Sequence, residues 1–176
     1  MTLRVTGGET RGRRLVVPRG LRPTEGLVRE AIFNMVAAAV PEAIVLDLFA
    51  GSGAMGLEAL SRGAASAVFV ESDRDACRTI ERNLAKLGLT GATVLCRDAL
   101  QVLAAQSRTY DLVLCDPPYG FEGHARLAGY LKRVLAPNGL LVYETGAKEQ
   151  LALEGLQVRT SRTYGSARLT LFEHEP

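Results

Sequence analysis

Cysteine is scarce in this chain, and the three that occur, Cys77, Cys96 and Cys115, stand far apart. None belongs to a C-x-x-C pair, and no histidine stands close enough to complete a metal site. A disulfide framework and a metal module are therefore not expected; the thiols should be reduced and mostly buried. No apolar run approaches the roughly 20 residues that span a bilayer, and the N-terminus lacks the charged-then-apolar layout of a secretion signal. Together these absences lead to the expectation of a cytoplasmic chain with no membrane partner. Repeats, low-complexity stretches and linkers are missing too. One domain over residues 1–176 is expected, with 1–40 as an N-terminal extension and 41–176 as the core.

What is present begins with charge. The net charge is only +2, but residues 1–30 hold seven arginines (Arg4, Arg11, Arg13, Arg14, Arg19, Arg22 and Arg29), no lysine and three glutamates. The rest of the chain is slightly acidic. Guanidinium groups grip phosphate oxygens in pairs, so an arginine-only cluster suits a phosphate-facing surface. A solvated arm fits the charge equally well.

Residues 2–17 alternate loosely around Gly7-Gly8 and Gly12, which predicts a hairpin with strands near 3–6 and 14–17. Thr24 can cap a helix whose apolar residues Val28, Ile32, Val36 and Val40 run to Pro41. Strands then alternate with helices: strands near 44–49, 67–71, 93–96, 110–116 and 140–145, helices near 55–62, 73–87, 99–105 and 124–134. Pro137-Asn138-Gly139 reads as a turn before the fifth strand. Segments 158–164 and 168–172, divided by Gly165-Ser166, look like an antiparallel pair that closes the sheet. Apolar strands joined by helices predict an α/β doubly wound, Rossmann-like sheet of about seven strands, the last antiparallel.

The first strand runs into V-L-D-L-F-A-G-S-G-A-M-G, residues 45–56. Phe49 and Ala50 lead to Gly51, Ser52, Gly53 and Gly56, a G-x-G-x-x-G turn that lets a ligand approach backbone N–H groups and a helix N-terminus. By itself the turn fits nicotinamide enzymes, methyltransferases or a structural bend. Asp47, four residues before Gly51, separates these readings. A carboxylate there repels a pyrophosphate but suits the sulfonium and ammonium of S-adenosylmethionine, whose own carboxylate the loop amides can receive. An unpaired structural Asp on a core strand would be costly. Glu71 ends the second strand, where an acidic side chain takes ribose hydroxyls, with Ser72 beside it. Asp73 reads better as a helix cap. Asp98, beyond the third strand, can accept from an adenine amino group while Ala99 offers its N–H; capping the next helix is its rival role.

The fourth strand ends in L-C-D-P-P-Y-G, residues 114–120. Two prolines fix the backbone and leave carbonyls free. An exocyclic amino group on a nucleobase is a poor nucleophile because its lone pair is delocalised. Hydrogen bonds to the Asp116 carboxylate and the Pro117 carbonyl favour a pyramidal nitrogen aimed at an activated methyl. Pro118 stiffens the turn, and Tyr119 offers a face on which a base stacks, worth roughly 1–3 kcal/mol. Positioning of this kind needs no metal and no covalent nucleophile.

D-P-P-Y at 116–119 and D-x-F-A-G-S-G at 47–53 resemble the amino-methylating branch of the Rossmann-fold methyltransferases. The stretches R-V-T-G-G-E-T-R-G-R-R-L (4–15), L-R-P-T-E-G-L-V-R-E-A-I-F-N-M (21–35), L-D-L-F-A-G-S-G-A-M-G-L-E-A-L-S-R-G-A (46–64), V-E-S-D (70–73) and the Y-G at 164–165 narrow this further. They are similar to the RsmD family of bacterial 16S ribosomal RNA guanine-N2 methyltransferases. One local departure is Gly26, where that family usually carries a polar residue. The resemblance implies transfer from S-adenosylmethionine to a guanine flipped from 16S rRNA in the small subunit or its assembly intermediate. It also implies that Thr24 and Arg29 lie by the cofactor, and that Arg11, Arg13, Arg14 and Arg22 meet RNA. A monomer is expected. The alternative target for D-P-P-Y is adenine N6 in DNA or RNA.

Overall fold

The computed structural model describes residues 2–21, 24 and 26–176. Its centre is a seven-stranded sheet: β1 (Ile44–Leu48), β2 (Ser66–Glu71), β3 (Ala92–Cys96), β4 (Tyr110–Cys115), β5 (Leu135–Gly146), β6 (Leu156–Tyr164) and β7 (Ala167–His174). The spatial order is β3-β2-β1-β4-β5-β7-β6. Strands β1 to β5 pair in parallel, while β7 runs antiparallel to both β5 and β6. The expected sheet, with an antiparallel last strand, is the one observed.

Among the described residues five α-helices cover the two faces: α1 (Gly26–Met35), α2 (Ala54–Ser61), α3 (Arg74–Leu87), α4 (Ala99–Ala105) and α5 (His124–Val134). Val28, Ile32 and Phe33 of α1, Leu57 of α2 and Ile80 of α3 pack with Val45, Phe69 and Leu114 on one face. Val102 and Leu103 of α4 and Leu127 and Leu131 of α5 pack with Leu46, Val70 and Val113 on the other. Alternating strand residues feed the two layers because successive side chains point to opposite faces. This is why β1, β2 and β4 are apolar at most positions.

Three local expectations need correction. The N-terminal hairpin is a turn held by one bridge, Arg4 to Arg14, and by backbone bonds such as Val5 N–H to Arg13 at 3.0 Å. The helix expected through Val40 stops at Met35. Val36 leaves helical geometry (φ −108°, ψ 13°), and a 3-10 turn follows over Ala37–Ala39. Pro137-Asn138-Gly139 does not precede β5 but lies within its span. Tyr110 pairs with Leu135 and Leu112 with Leu140, so the intervening residues bulge outward and the ladder resumes beyond them.

The extension is fastened to the core by a buried charge cluster. Glu58 on α2 accepts from Thr6 N–H at 2.9 Å and Thr6 Oγ1 at 2.6 Å, and pairs with Arg29 at 3.2 Å and Arg62 at 2.9 Å. One carboxylate thus joins the N-terminal turn, α1 and α2.

Candidate active site

Strand order reverses between β1 and β4, and in such sheets ligands bind at the carboxyl ends of the strands beside that switch. Four carboxylates gather there, and the register explains why. Asp47 pairs with Phe69 and Leu114, and Leu114 with Val142. Two residues beyond those partners come Glu71, Asp116 and Glu144. A period of two returns all three to the face that Asp47 uses.

A groove of about 530 Å³ opens at this edge. It is lined by Leu21, Thr24, Asp47, Phe49, Ala50, Gly51, Ser52, Ala54, Met55, Glu71, Ser72 and Asp116 to Tyr119. Asp47 is buried, and its Oδ2 accepts from Gly56 N–H at 2.9 Å. Burial, reinforced by the charges of Asp116 and Glu71, pushes its carboxyl up to about 8. The turn above it needs its glycines. Gly53 is left-handed (φ 77°), and a Cβ there would lie 2.9 Å from Ile80; a Cβ on Gly56 would strike the Phe69 ring at 2.3 Å. Phe49 holds a left-handed φ of 57°, uncommon for a bulky residue, and its ring meets Phe121 edge-on at 5.3 Å.

Across Asp116-Pro117-Pro118-Tyr119 lies a second cavity of about 270 Å³, whose other walls include Phe121, His124, Glu144, Thr145 and Glu149. Asp116 is open to solvent on the cleft side, while packed protein behind it pushes its carboxyl up to about 6. Burial and the neighbouring Asp116 charge raise Glu144 to about 8. Tyr119 is fully exposed between the two cavities. His124 Nδ1 lies 2.7 Å from the Tyr143 hydroxyl and braces this wall. The Thr145 hydroxyl is buried with no hydrogen-bond partner among the described residues. A larger cavity of about 550 Å³ sits at the opposite end of the sheet, by Met35, Asn138, Arg159 and Glu173, and receives none of these groups.

A family profile described as Conserved hypothetical protein 95, the RsmD family, matches residues 3–173. The chain belongs to the RsmD family. Ribosomal RNA small subunit methyltransferase D of Escherichia coli K12 is 46% identical over 119 residues, covering 66% of this chain and 60% of that protein. That match therefore spans less than two thirds of the relative's length. The protein of the same name from Haemophilus influenzae is 32% identical over 181 residues, covering 98% of this chain and 94% of the relative. A solved Escherichia coli structure, yhhF, described as a methyltransferase candidate, superposes with a TM-score of 0.89 at 36% identity, covering 99% of both chains.

In this RsmD-family chain the structure brings together Thr24, Asp47, Phe49, Ala50, Gly51, Ser52, Glu71, Ser72 and Asp116 to Tyr119 around one groove. Gly53 sits behind it as the residue before α2. The loop amides are less available than expected, since Gly51 N–H already donates to Glu71 Oε2 at 2.7 Å and Gly53 N–H to Ala50 at 2.7 Å. Asp73 caps α3 through Ala76 N–H. Asp98 caps α4 through Gln101 N–H at 3.0 Å, and neither it nor Ala99 lines the groove.

Arg29 is a correction. It is 1% exposed, and it pairs with Glu58 and donates to the carbonyls of Arg4 and Thr24, so it faces the core and not a cofactor. Burial lowers its pKa, and Glu58 opposes that shift. Thr24 contributes its carbonyl to Arg29 at 3.4 Å. Arg11, Arg13 and Arg14 are exposed, with Arg13 also donating to the Lys86 carbonyl at 2.6 Å. Arg22 lies outside the described residues. The sequence reading missed Glu144, although V-Y-E-T carries the signal that marked Asp47 and Glu71, an acidic residue where an apolar strand ends.

Proposed function

We propose that this chain moves the methyl group of S-adenosylmethionine to the exocyclic N2 of a guanine in 16S ribosomal RNA. The observation that carries the reading is the abutment of two cavities across Asp116 to Tyr119, one beside the glycine turn and one closed by Phe121 and Glu144. The groove has the volume of a small-molecule cofactor site. Its deepest carboxyl, Asp47, is held near neutrality by burial, and a cation would restore its charge. When bound, S-adenosylmethionine supplies an activated methyl on a sulfonium.

The chain's own residues do the rest. Asp47 and the turn take the polar end of the cofactor, with Phe49, Ala50, Ser52 and Thr24 along the wall. Glu71, steadied by the amides of Gly51 and Asp73, has lone pairs left for vicinal hydroxyls, beside Ser72. Asp98 bonds Gln101 through Oδ1, so Oδ2 can take an amino group next to Ala99. Asp116 and the Pro117 carbonyl orient the attacking nitrogen, Tyr119 stacks on the base, and Asp116 or water receives the proton. Such positioning supplies roughly 7–11 kcal/mol of barrier reduction. Chemistry of this kind, which rests on positioning, requires no metal.

The two relatives' names support a small-subunit rRNA substrate, and exposed Arg11, Arg13 and Arg14 suit RNA phosphates. On this reading the chain is one domain acting as a monomer in the cytoplasm, on the small subunit or its assembly intermediate. No helix among the described residues is long and apolar enough to cross a membrane. Nucleosides released from RNA and DNA after incubation with enzyme and labelled cofactor provide the test. Label in N2-methylguanosine is expected; label confined to N6-methyladenine would favour the adenine alternative.

A further inference from the structure

Resting on the reading above, we infer that Glu144 reads the N1–H of the target guanine while Asp116 holds its N2 amino group, so that the pair selects guanine over bases lacking that proton.

Three features of the structure support this. Glu144 lies on β5, and Asp116 follows β4; Leu114 pairs with Val142 and Cys115 with Tyr143, which carries the next step of the register to Asp116 and Glu144. Adjacent strands lie about 4.8 Å apart, so the two carboxyls stand side by side. Both line the 270 Å³ cavity that Tyr119 and Phe121 flank. Thr145, the next residue after Glu144, also lines that cavity, and its hydroxyl is buried without a partner among the described residues, a state that native interiors rarely leave unmet.

The chemistry of the bases then discriminates. Guanine presents N1–H and N2–H₂ next to each other on one edge, adjacent donors for two adjacent carboxyls. Adenine presents an acceptor, N1, beside its amino group, and a carboxylate facing that acceptor is repelled. Burial, and after it the neighbouring Asp116 charge, raises Glu144, and the N1–H and N2–H₂ donors set against the two carboxyls favour their ionised, accepting forms. A site built around a donor rejects an analogue that lacks it, because its buried acceptor is then left unpaired.

The test uses 2-aminopurine, which keeps the N2 amino group but has no N1–H. Once the methylated guanine is mapped, small-subunit RNA carrying either base at that position is assayed with wild type, Glu144→Gln and Glu144→Asp. Intrinsic differences between the bases cancel when their kcat/KM ratio is compared across enzymes. Wild type should carry a guanine preference to which the N1–H contributes roughly 10- to 100-fold. Glu144→Gln can donate to the bare N1 and should move the ratio at least about tenfold toward 2-aminopurine. Glu144→Asp should retain guanine preference with lower activity, and S-adenosylhomocysteine should bind all three alike. An unchanged ratio in Glu144→Gln, with guanine still methylated, overturns the role of Glu144. Failure of wild type to methylate any guanine overturns the underlying reading and this inference together.

Discussion

Replacing Asp47 with asparagine should stabilise the empty protein and weaken its hold on the cofactor. The side chain is 3% exposed, and its carboxyl is raised from 3.8 to about 8, first by burial and then by Asp116 and Glu71. Because the folded value lies above the unfolded one, this carboxyl favours the fold fully below pH about 4. That contribution is lost as pH rises toward about 8. Each unit is worth about 1.36 kcal/mol, so by pH 7 the loss reaches about 4 kcal/mol. Asparagine is isosteric, keeps an acceptor for Gly56 N–H and carries no charge to desolvate. Urea denaturation of wild type and Asp47→Asn between pH 4 and 8 reads the difference. The gap should favour the variant increasingly above pH 4. Calorimetry should show S-adenosylmethionine binding the variant roughly 10- to 100-fold more weakly, the loss of one charge-assisted partner. A variant less stable than wild type at pH 7, or one that binds the cofactor normally, would refute the reasoning.

Other perturbations separate the parts of the account. The activity of wild type should rise with pH through about 6, as Asp116 loses the proton that prevents it from accepting two-sidedly; Asp116→Asn should flatten that limb of the kcat/KM profile and lower kcat by about 100-fold or more. Arg29→Met breaks a buried pair and should cost about 3 kcal/mol or more in thermal or urea denaturation. The affinity of the folded variant for S-adenosylmethionine should stay unchanged, because Arg29 faces Glu58. Reversing Arg11, Arg13 and Arg14 to glutamate should weaken RNA binding and make its salt dependence shallower, by as much as ~0.7–0.9 in slope per lost phosphate contact, with cofactor affinity intact. Equal loss of both would point to a folding role for the N-terminal turn.

The sheet was legible because its strands are buried on both faces and its helices carry clear ends. Asp73 and Gly88 bracket α3 where expected, and α4 and α5 fall on their predicted residues. The groove was legible for a related reason. Asp47 and Glu71 stand out as charges where apolar strands end, and D-P-P-Y is a rare juxtaposition. Tertiary context hid the rest. Arg29 has the same sequence signature whether it reaches a ligand or the core; only the placement of Glu58, 29 residues away, decides between them. Pro137-Asn138-Gly139 has turn chemistry, yet the ladder resumes around it as a bulge. Glu144 gains meaning only when β5 lies beside β4 and brings its carboxyl next to Asp116. Asp98 carried two compatible roles, and the cap at Gln101 is the one visible in the fold.

Small subunits purified from a strain lacking this protein should be incubated with the enzyme and S-adenosylmethionine, and the modified nucleoside identified and mapped. N2-methylguanosine is expected at a single 16S position, and none with Asp116→Ala. A methyl on adenine N6, or undiminished transfer by Asp116→Ala, would contradict it.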